Sequence, residues 1–105
     1  MCSWTSPRHE GLKAWVAGHE LVLVVYRVTS GWPAREQYGL TSQARRAAYS
    51  AAANIAEGSA KRGSKEFCRF LNISLGSIAE LSCILLLARD LEYLQPDEPG
   101  PPLTT

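Results

Sequence analysis

The chain has 105 residues, of which 46% are hydrophobic and 20% charged, and its net charge is +1. This length allows one domain with a modest core, and the small net charge excludes the uniform field of a strongly basic or acidic protein. The longest runs of consecutive apolar residues, 21–26 and 84–88, are far shorter than the ~20 residues that span a bilayer. We therefore expect no membrane association.

The charge is unevenly placed. Residues 41–75 contain six lysines and arginines against two glutamates, whereas residues 76–105 contain one arginine against five carboxylates. A basic patch beside an acidic end is compatible with RNA binding or with head-to-tail self-association.

The cysteines and the N-terminus predict a cytoplasmic protein. Cys2, Cys68 and Cys83 have no metal-ligand spacing, and Cys68 and Cys83 fall among apolar residues of a predicted helix. We interpret these two as buried free thiols in a reducing cytosol. The N-terminus also lacks the basic-then-apolar order of a signal peptide.

The N-terminal part predicts an arm followed by a helix. Residues 1–11 show no periodicity and are expected to be a flexible arm. Residues 12–29 form the first predicted helix, because apolar residues recur there at a spacing of three and four. Gly18 disfavours a helix, so it indicates a close approach of a neighbouring helix. A short helical turn is expected over 33–38, with Pro33 at its first position.

Two further helices are predicted over 41–61 and 64–94. Thr41 and Ser64 are expected to cap them, and Gly63 between them suits a left-handed backbone conformation. The second helix is slim because it is rich in alanine, which permits close packing in a bundle. The third carries two apolar stripes and therefore two buried faces. Residues 95–105 hold four of the six prolines and predict a disordered tail.

These elements predict an all-α protein, an antiparallel up-down helical bundle over 12–94. Its apolar surface is larger than three helices alone can cover, and a large exposed apolar patch usually marks an interface. We therefore expect obligate self-association. The alternative is that the tail folds back over the patch, which its prolines disfavour. The candidate interface residues are Leu21, Val25, Leu85, Leu86, Leu87 and Leu91.

The chain resembles a known bacterial family over most of the predicted helical region. The matching segments are LKAW (12–15), HELV (19–22), VY (25–26), WP (32–33), YGL (38–40), RRAA (45–48), NIAEG (54–58), FL (70–71), GS (76–77), EL (80–81) and YL (93–94), with Glu36, Gln43 and Phe67. In this order and spacing they resemble the four-helix-bundle family named after intervening sequences in large-subunit ribosomal RNA genes. That family in turn resembles the accessory proteins of diversity-generating retroelements.

The resemblance implies a left-handed antiparallel four-helix bundle that forms ring-like homopentamers, and it implies no established catalytic activity. Family members commonly have a fourth helix after the Tyr-Leu pair. Here residues 95–105 stand in that place, and they are too short and too rich in proline to replace it. Either a neighbouring subunit covers the gap, or the chain is a shortened relative with compromised assembly.

The basic residues are the first candidate functional site. Lys61, Arg62, Lys65 and Arg69 lie at the corner between the second and third helices, where phosphates could also use the free N–H groups of a helix start. The alternative is an ordinary solvated corner. Arg45 and Arg46 lie near the start of the second helix, where a cation opposes the helix dipole. We expect one of them to pair with a carboxylate such as Glu36, Glu57 or Glu80, and the other stays open to RNA.

The remaining polar residues predict structure rather than catalysis. Gln43, Asn54, Glu57 and Glu80 are expected to form a buried hydrogen-bond network, and His19 to lie on a packed face. A di-iron site needs two Glu-x-x-His pairs that this chain lacks, so we expect no metal and no cofactor. Phe67 and Phe70 are expected in the core, which leaves no clear platform for base stacking.

The leading hypothesis is a non-enzymatic bundle that self-assembles as a pentamer and binds RNA through its basic corner. The alternative is a structural or protein-interaction scaffold without affinity for nucleic acid. An enzyme is the third hypothesis, and exposed clustering of Asn54, Glu57 and Glu80 in a cleft would favour it.

Overall fold

The computed structural model describes residues 7–61 and 63–94, and side chains from residue 12 onward. Its elements are α1 (Pro7–Thr29), a short 3-10 helix (Ala34–Glu36), α2 (Leu40–Ser59) and α3 (Ser64–Asp90). The described part contains no strand, so the predicted all-α class is confirmed. It contains three long helices, and a fourth is not among the described elements.

The alanine-rich helix α2 lies at the centre of the fold. Both α1 and α3 pack against it, whereas α1 and α3 make little contact with each other. Ala44 and Ala48 of α2 are fully buried, and their small side chains allow both neighbours to approach closely. The core cluster consists of Val25, Trp32, Ala44, Ala47, Ala48, Leu81, Ile84 and Ala88. Because only α2 contacts both outer helices, much of their remaining surface is uncovered.

Two glycines mark the closest helix contacts. A Cβ on Gly18 would lie 3.2 Å from both Cα and Cβ of Ala52, so the close approach predicted from Gly18 is confirmed. A Cβ on Gly58 would lie 2.7 Å from Cβ of Phe70 and 3.0 Å from Cδ1 of Phe67. The α2–α3 contact at Gly58 was not predicted. At Gly58 a side chain would force a neighbour to shift, whereas at Gly18 a Cβ would displace Ala52 by only a few tenths of an ångström.

The helix starts differ from the predictions. Helix α1 begins at Pro7, so the flexible arm predicted for 1–11 is wrong for residues 7–11; residues 1–6 lie outside the described part. The N-cap of α2 is Gly39 and that of α3 is Gly63, and neither helix has a side-chain hydrogen bond from its N-cap. The predicted caps Thr41 and Ser64 are therefore wrong. Gly63 has the predicted positive φ, +89°, but its ψ of 148° lies outside the left-handed helical region, and it is the N-cap of α3.

Helix α3 ends before the predicted limit of residue 94. Glu92 has a φ of +66°, and the N–H groups of Glu92 and Tyr93 donate to the carbonyls of Arg89 (2.9 Å) and Ala88 (2.8 Å). This pair of bonds is the Schellman arrangement that terminates helices. It turns the chain back so that Tyr93 and Leu94 pack against the core. The predicted tail, 95–105, lies outside the described residues.

The cysteines also differ from the prediction. Cys68 is half-buried and disulfide-bonded, and Cys83 is a free thiol but exposed. The interpretation as two buried free thiols is therefore wrong. Because disulfides are rare in a reducing cytosol, this bond removes one argument for a cytoplasmic protein.

Candidate functional site

The outward-facing surface of α3 is strongly apolar. Six large apolar residues of α3 and its C-cap are exposed, and we call them together the α3 face: Ile73, Leu75, Ile78, Leu86, Leu87 and Leu91. By helical period, Ile73, Leu87 and Leu91 lie on one side of the stripe buried against α2, and Leu75, Ile78 and Leu86 lie on the other side. An 18-residue window of this 27-residue helix has a mean hydropathy of 1.9, yet only 17% of it is buried. By length and composition α3 could cross a bilayer. Serine and glycine interrupt the consecutive apolar residues of α3, so its unbroken runs are short, but these residues lower the mean hydropathy only a little.

The predicted interface residues divide into two groups. Leu86, Leu87 and Leu91 are about half exposed and belong to the α3 face. Leu21 and Leu85 are half-buried against the core. Val25 is 2% exposed and lies within the core, so its assignment to an oligomer interface is wrong. The helical period shows that Val25 is apolar on a packed face, but not that the core cluster already covers it.

Three of the predicted basic residues meet at the corner between α2 and α3. Lys61, Lys65 and Arg69 are exposed there, and Arg62 lies outside the described residues. Lys61 Nζ and Arg69 Cζ lie 5.8 and 4.8 Å from the centre of the Phe70 ring. Arg69 also pairs with Glu66 at 3.4 Å. Phe70 is therefore half-buried beneath two cations rather than a core residue, whereas Phe67 is fully buried.

Arg45 and Arg46 lie near the other end of α2. Arg45 and Lys61 are 16 residues apart, roughly 24 Å along a helix. The Arg45 guanidinium lies 4.3 Å from the centre of the Tyr26 ring, and its Nε donates to Thr29 Oγ1 at 2.8 Å. The expected pairing of one of these two arginines with a carboxylate is wrong, because neither has an ion pair among the described residues. Arg46 is exposed and has no ion pair within the described part of the chain.

An aromatic groove runs between α1 and α2. It encloses about 900 Å³, and Trp15, His19, Tyr26 and Tyr49 supply its aromatic lining. The rings of Trp15 and His19 are stacked with centroids 5.0 Å apart. His19 is exposed, so its predicted place on a packed face is wrong. Sequence reasoning missed this groove because it considered only Phe67 and Phe70 as stacking candidates.

A second cavity of about 380 Å³ continues the groove, because Tyr26 and Tyr49 line both. Tyr38, Arg45 and Arg46 also line this second cavity. Tyr38 is 90% exposed and Tyr49 is 65% exposed. The exposure of Tyr49 could have been predicted from the sequence, because by helical period it lies on a different side of α2 from the buried alanines.

The predicted polar network of Gln43, Asn54, Glu57 and Glu80 is not formed. Gln43, Glu57 and Glu80 are exposed, and among the described residues no hydrogen bond joins members of this set. Asn54 instead donates to the carbonyl of Ser50 at 2.8 Å. Asn54, Glu57 and Glu80 also do not line one cleft together: Asn54 is half-buried, and of the three only Glu57 lines the groove.

Serines make the polar contacts between α2 and α3. Ser77 Oγ lies 3.0 Å from Ser50 Oγ, and Ser74 Oγ donates to the Ala51 carbonyl at 2.8 Å. Ser74 is 2% exposed, so this bond satisfies a hydroxyl inside the core. These short side chains hold the register of two helices that pack closely.

Glu36 connects the α1–α2 loop to the end of α3. Its Oε1 accepts the N–H of Leu40 at 3.0 Å, and its Oε2 accepts the hydroxyl of Tyr93 at 2.7 Å. Chiefly the Leu40 N–H, and then the Tyr93 hydroxyl, hold the pKa of Glu36 below its usual value. The same hydroxyl bond is the main cause that raises the pKa of Tyr93. Glu36 thus caps α2 in place of the predicted Thr41.

Within the described residues, no group of three or more His, Cys, Asp or Glu side chains could hold a metal ion. The candidate sites on the described surface are therefore the apolar α3 face, the basic corner and the aromatic groove. Together with the three long helices, they define the class of this protein as a small all-α helical bundle with uncovered helix faces.

The family model of the 23S rRNA-intervening sequence protein matches residues 10–99. The match covers most of the chain, so the protein belongs to this family, and the resemblance found from the sequence motifs is confirmed. A search of curated proteins found no match to the chain.

Proposed function

We propose that the protein is a non-enzymatic helical bundle that assembles with copies of itself through the α3 face, as a homopentamer. The observation that carries this proposal is the exposure of six large apolar side chains along one helix. Covering a half-exposed side chain of this size contributes roughly 1 kcal/mol. Because three of these residues lie on each side of α3, one contact would contribute on the order of 3 kcal/mol and contacts with two neighbours on the order of 6 kcal/mol, comparable with the whole stability of a small domain.

A ring is supported by the distribution of charge. At the corner, Lys61, Lys65 and Arg69 outnumber Glu66, which pairs with Arg69. Near the end of α3, Asp90 and Glu92 outnumber Arg89, which pairs with Asp90. Opposite charges at different places on one chain favour a head-to-tail contact, which closes into a ring when the rotation allows it. The pentameric number comes from the family resemblance.

The test of assembly is the native mass measured by light scattering. We expect a mass about five times that of the 11.5 kDa chain for the wild type. Leu86→Glu and Leu87→Glu should each give a smaller mass, since an unpaired carboxylate in an apolar contact is strongly unfavourable. Gln43→Glu adds the same charge at an exposed position of α2 and should keep the wild-type mass. A folded wild-type monomer, or a chain that sediments with lipid vesicles instead of assembling, would contradict the proposal.

RNA binding at the basic corner is the second part of the proposal. It is favoured by Lys61 and Lys65, which are exposed and have no ion pair among the described residues. The family name refers to ribosomal RNA, which makes RNA the first ligand to test. Reversing the charges of Lys61, Arg62 and Lys65 together should weaken RNA binding and reduce its dependence on salt. Unchanged affinity would leave the alternative, a structural or protein-interaction scaffold without RNA affinity.

A further inference from the structure

We propose that the surface formed by Tyr26, Tyr38, Tyr49, Arg45 and Arg46, here called the tyrosine face, binds single-stranded RNA by stacking its bases. The inference deepens the proposed RNA binding and rests on it, because it specifies the form of RNA and a surface distinct from Lys65 and Arg69 of the basic corner. Lys61 of that corner lines the groove that continues the tyrosine face.

The first support is the exposure of the rings. Tyr38 is 90% exposed, Tyr49 65% and Tyr26 47%. They lie on three different segments, the α1–α2 loop, α2 and α1, yet all three line one cavity of about 380 Å³. Exposed aromatic rings brought together in this way offer faces on which successive bases stack, and this stacking depends little on base identity.

The second support is the charge beside the rings. Arg45 is held in place by Thr29 and lies over Tyr26, so its planar guanidinium is positioned before any ligand arrives. Arg46 is exposed, and neither arginine has an ion pair in the described part of the chain. Glu57 is the one carboxylate that lines either cavity among the residues that the structure describes. Arginines free of carboxylates attract the phosphates that join stacked bases.

The third support is the length of the surface. The two cavities share Tyr26 and Tyr49, so the tyrosine face continues into the groove where Trp15 and His19 stack. Trp15 and Tyr26 are 11 residues apart on α1, which is roughly 16 Å. This length accommodates several nucleotides of one strand. A duplex is a poor occupant because its bases are already stacked on each other, and its grooves present phosphates and sugars instead.

The experiment measures the binding of a short fluorescein-labelled RNA of mixed sequence to the full chain by fluorescence anisotropy. The same RNA annealed to its complement serves as the duplex probe. We expect tighter binding of the single strand, with quenching of tyrosine and tryptophan emission as bases stack. The double variant Tyr38→Ala, Tyr49→Ala should weaken binding of the single strand by about tenfold or more, since each stacked base accounts for about 5- to 150-fold in affinity.

Matched variants separate stacking from charge. Tyr38→Phe with Tyr49→Phe keeps both rings and should bind within about twofold of the wild type, because stacking requires the ring and not the hydroxyl. Arg46→Gln should weaken binding and lower the slope of log affinity against log salt by about 0.7, the value for one phosphate contact on a single strand. Both tyrosines are exposed, so a circular dichroism spectrum like that of the wild type is expected for every variant.

A corner variant distinguishes this inference from the proposed corner site. If Lys65→Gln with Arg69→Gln loses RNA binding while the tyrosine-to-alanine variant keeps it, the corner alone binds RNA and the inference is wrong. If only the alanine variant loses binding, the tyrosine face is supported and the corner is not. Unchanged affinity of the alanine variant with an altered native mass would assign the face to a second copy of the chain and also overturn the inference. Equal affinity for single strand and duplex would overturn it too.

Discussion

Replacing Gly58 with alanine tests the tight contact between α2 and α3 at this glycine. The new Cβ would lie 2.7 Å from Phe70 Cβ and 3.0 Å from Phe67 Cδ1. Neither neighbour moves easily, because Phe70 Cβ is next to the backbone and Phe67 is fully buried. Alanine favours the helix by at most ~1 kcal/mol, whereas overpacking a core costs about 1–3 kcal/mol. Since Gly58 lies near the end of α2, the gain is small, and we expect a net loss of about 1–2 kcal/mol.

The assay is thermal and urea unfolding followed by circular dichroism. For a chain of this size, the expected loss lowers Tm by about 5–10 °C. Gly76→Ala is the matched control: Gly76 is inside α3, is exposed, and a Cβ added to it would have no neighbour within 4 Å. It should therefore raise the free energy of unfolding by about 0.5–1 kcal/mol. If Gly58→Ala is as stable as the wild type, the tight α2–α3 contact described above is incorrect.

Two further predictions concern polar contacts of the fold. Because the pKa of Glu36 is lowered from 4.5, the stability it contributes is present above that pH and is lost as pH falls through the folded-state value; Glu36→Gln should flatten Tm against pH in this acid range. Because the pKa of Tyr93 is raised, the stability it contributes is present below pH 10.0 and is lost as pH rises through the folded-state value, so Tyr93→Phe should flatten Tm against pH in the alkaline range. An unchanged profile of Tm against pH in either variant would contradict the Glu36–Tyr93 bond. Ser74→Ala should lower the free energy of unfolding by about 1 kcal/mol in urea titrations, because it removes a buried hydrogen bond to the Ala51 carbonyl, and no loss would show that this bond is unimportant.

The helix ends show where sequence reasoning was insufficient. Thr41 and Ser64 have good capping side chains, and so they were predicted as caps. The structure instead uses Glu36, four residues before Leu40, to accept the first N–H of α2. That choice depends on the loop geometry that also brings Tyr93 within 2.7 Å of the same carboxylate. A pairing across 57 residues cannot be found from local preferences, because it forms only when α3 has packed.

The candidate sites show the same limit. The basic residues and their two groups were found from the sequence, because charge and the length of the second helix are visible there. The tyrosine face was missed because its rings are far apart in the chain. Tyr26, Tyr38 and Tyr49 come together only through the turn between α1 and α2.

The sequence by itself determined the all-α class, the family, the approximate helix positions and the close approach at Gly18. These follow from the spacing of apolar residues, the motifs and the glycine, which are local properties of the chain. The tertiary structure alone decided which apolar residues are covered. Val25 and Leu87 are both apolar residues of long helices, yet Val25 is 2% exposed and Leu87 is 48% exposed. The physical reason is that burial depends on which helix lies opposite a residue, and α2 contacts only one side of α3.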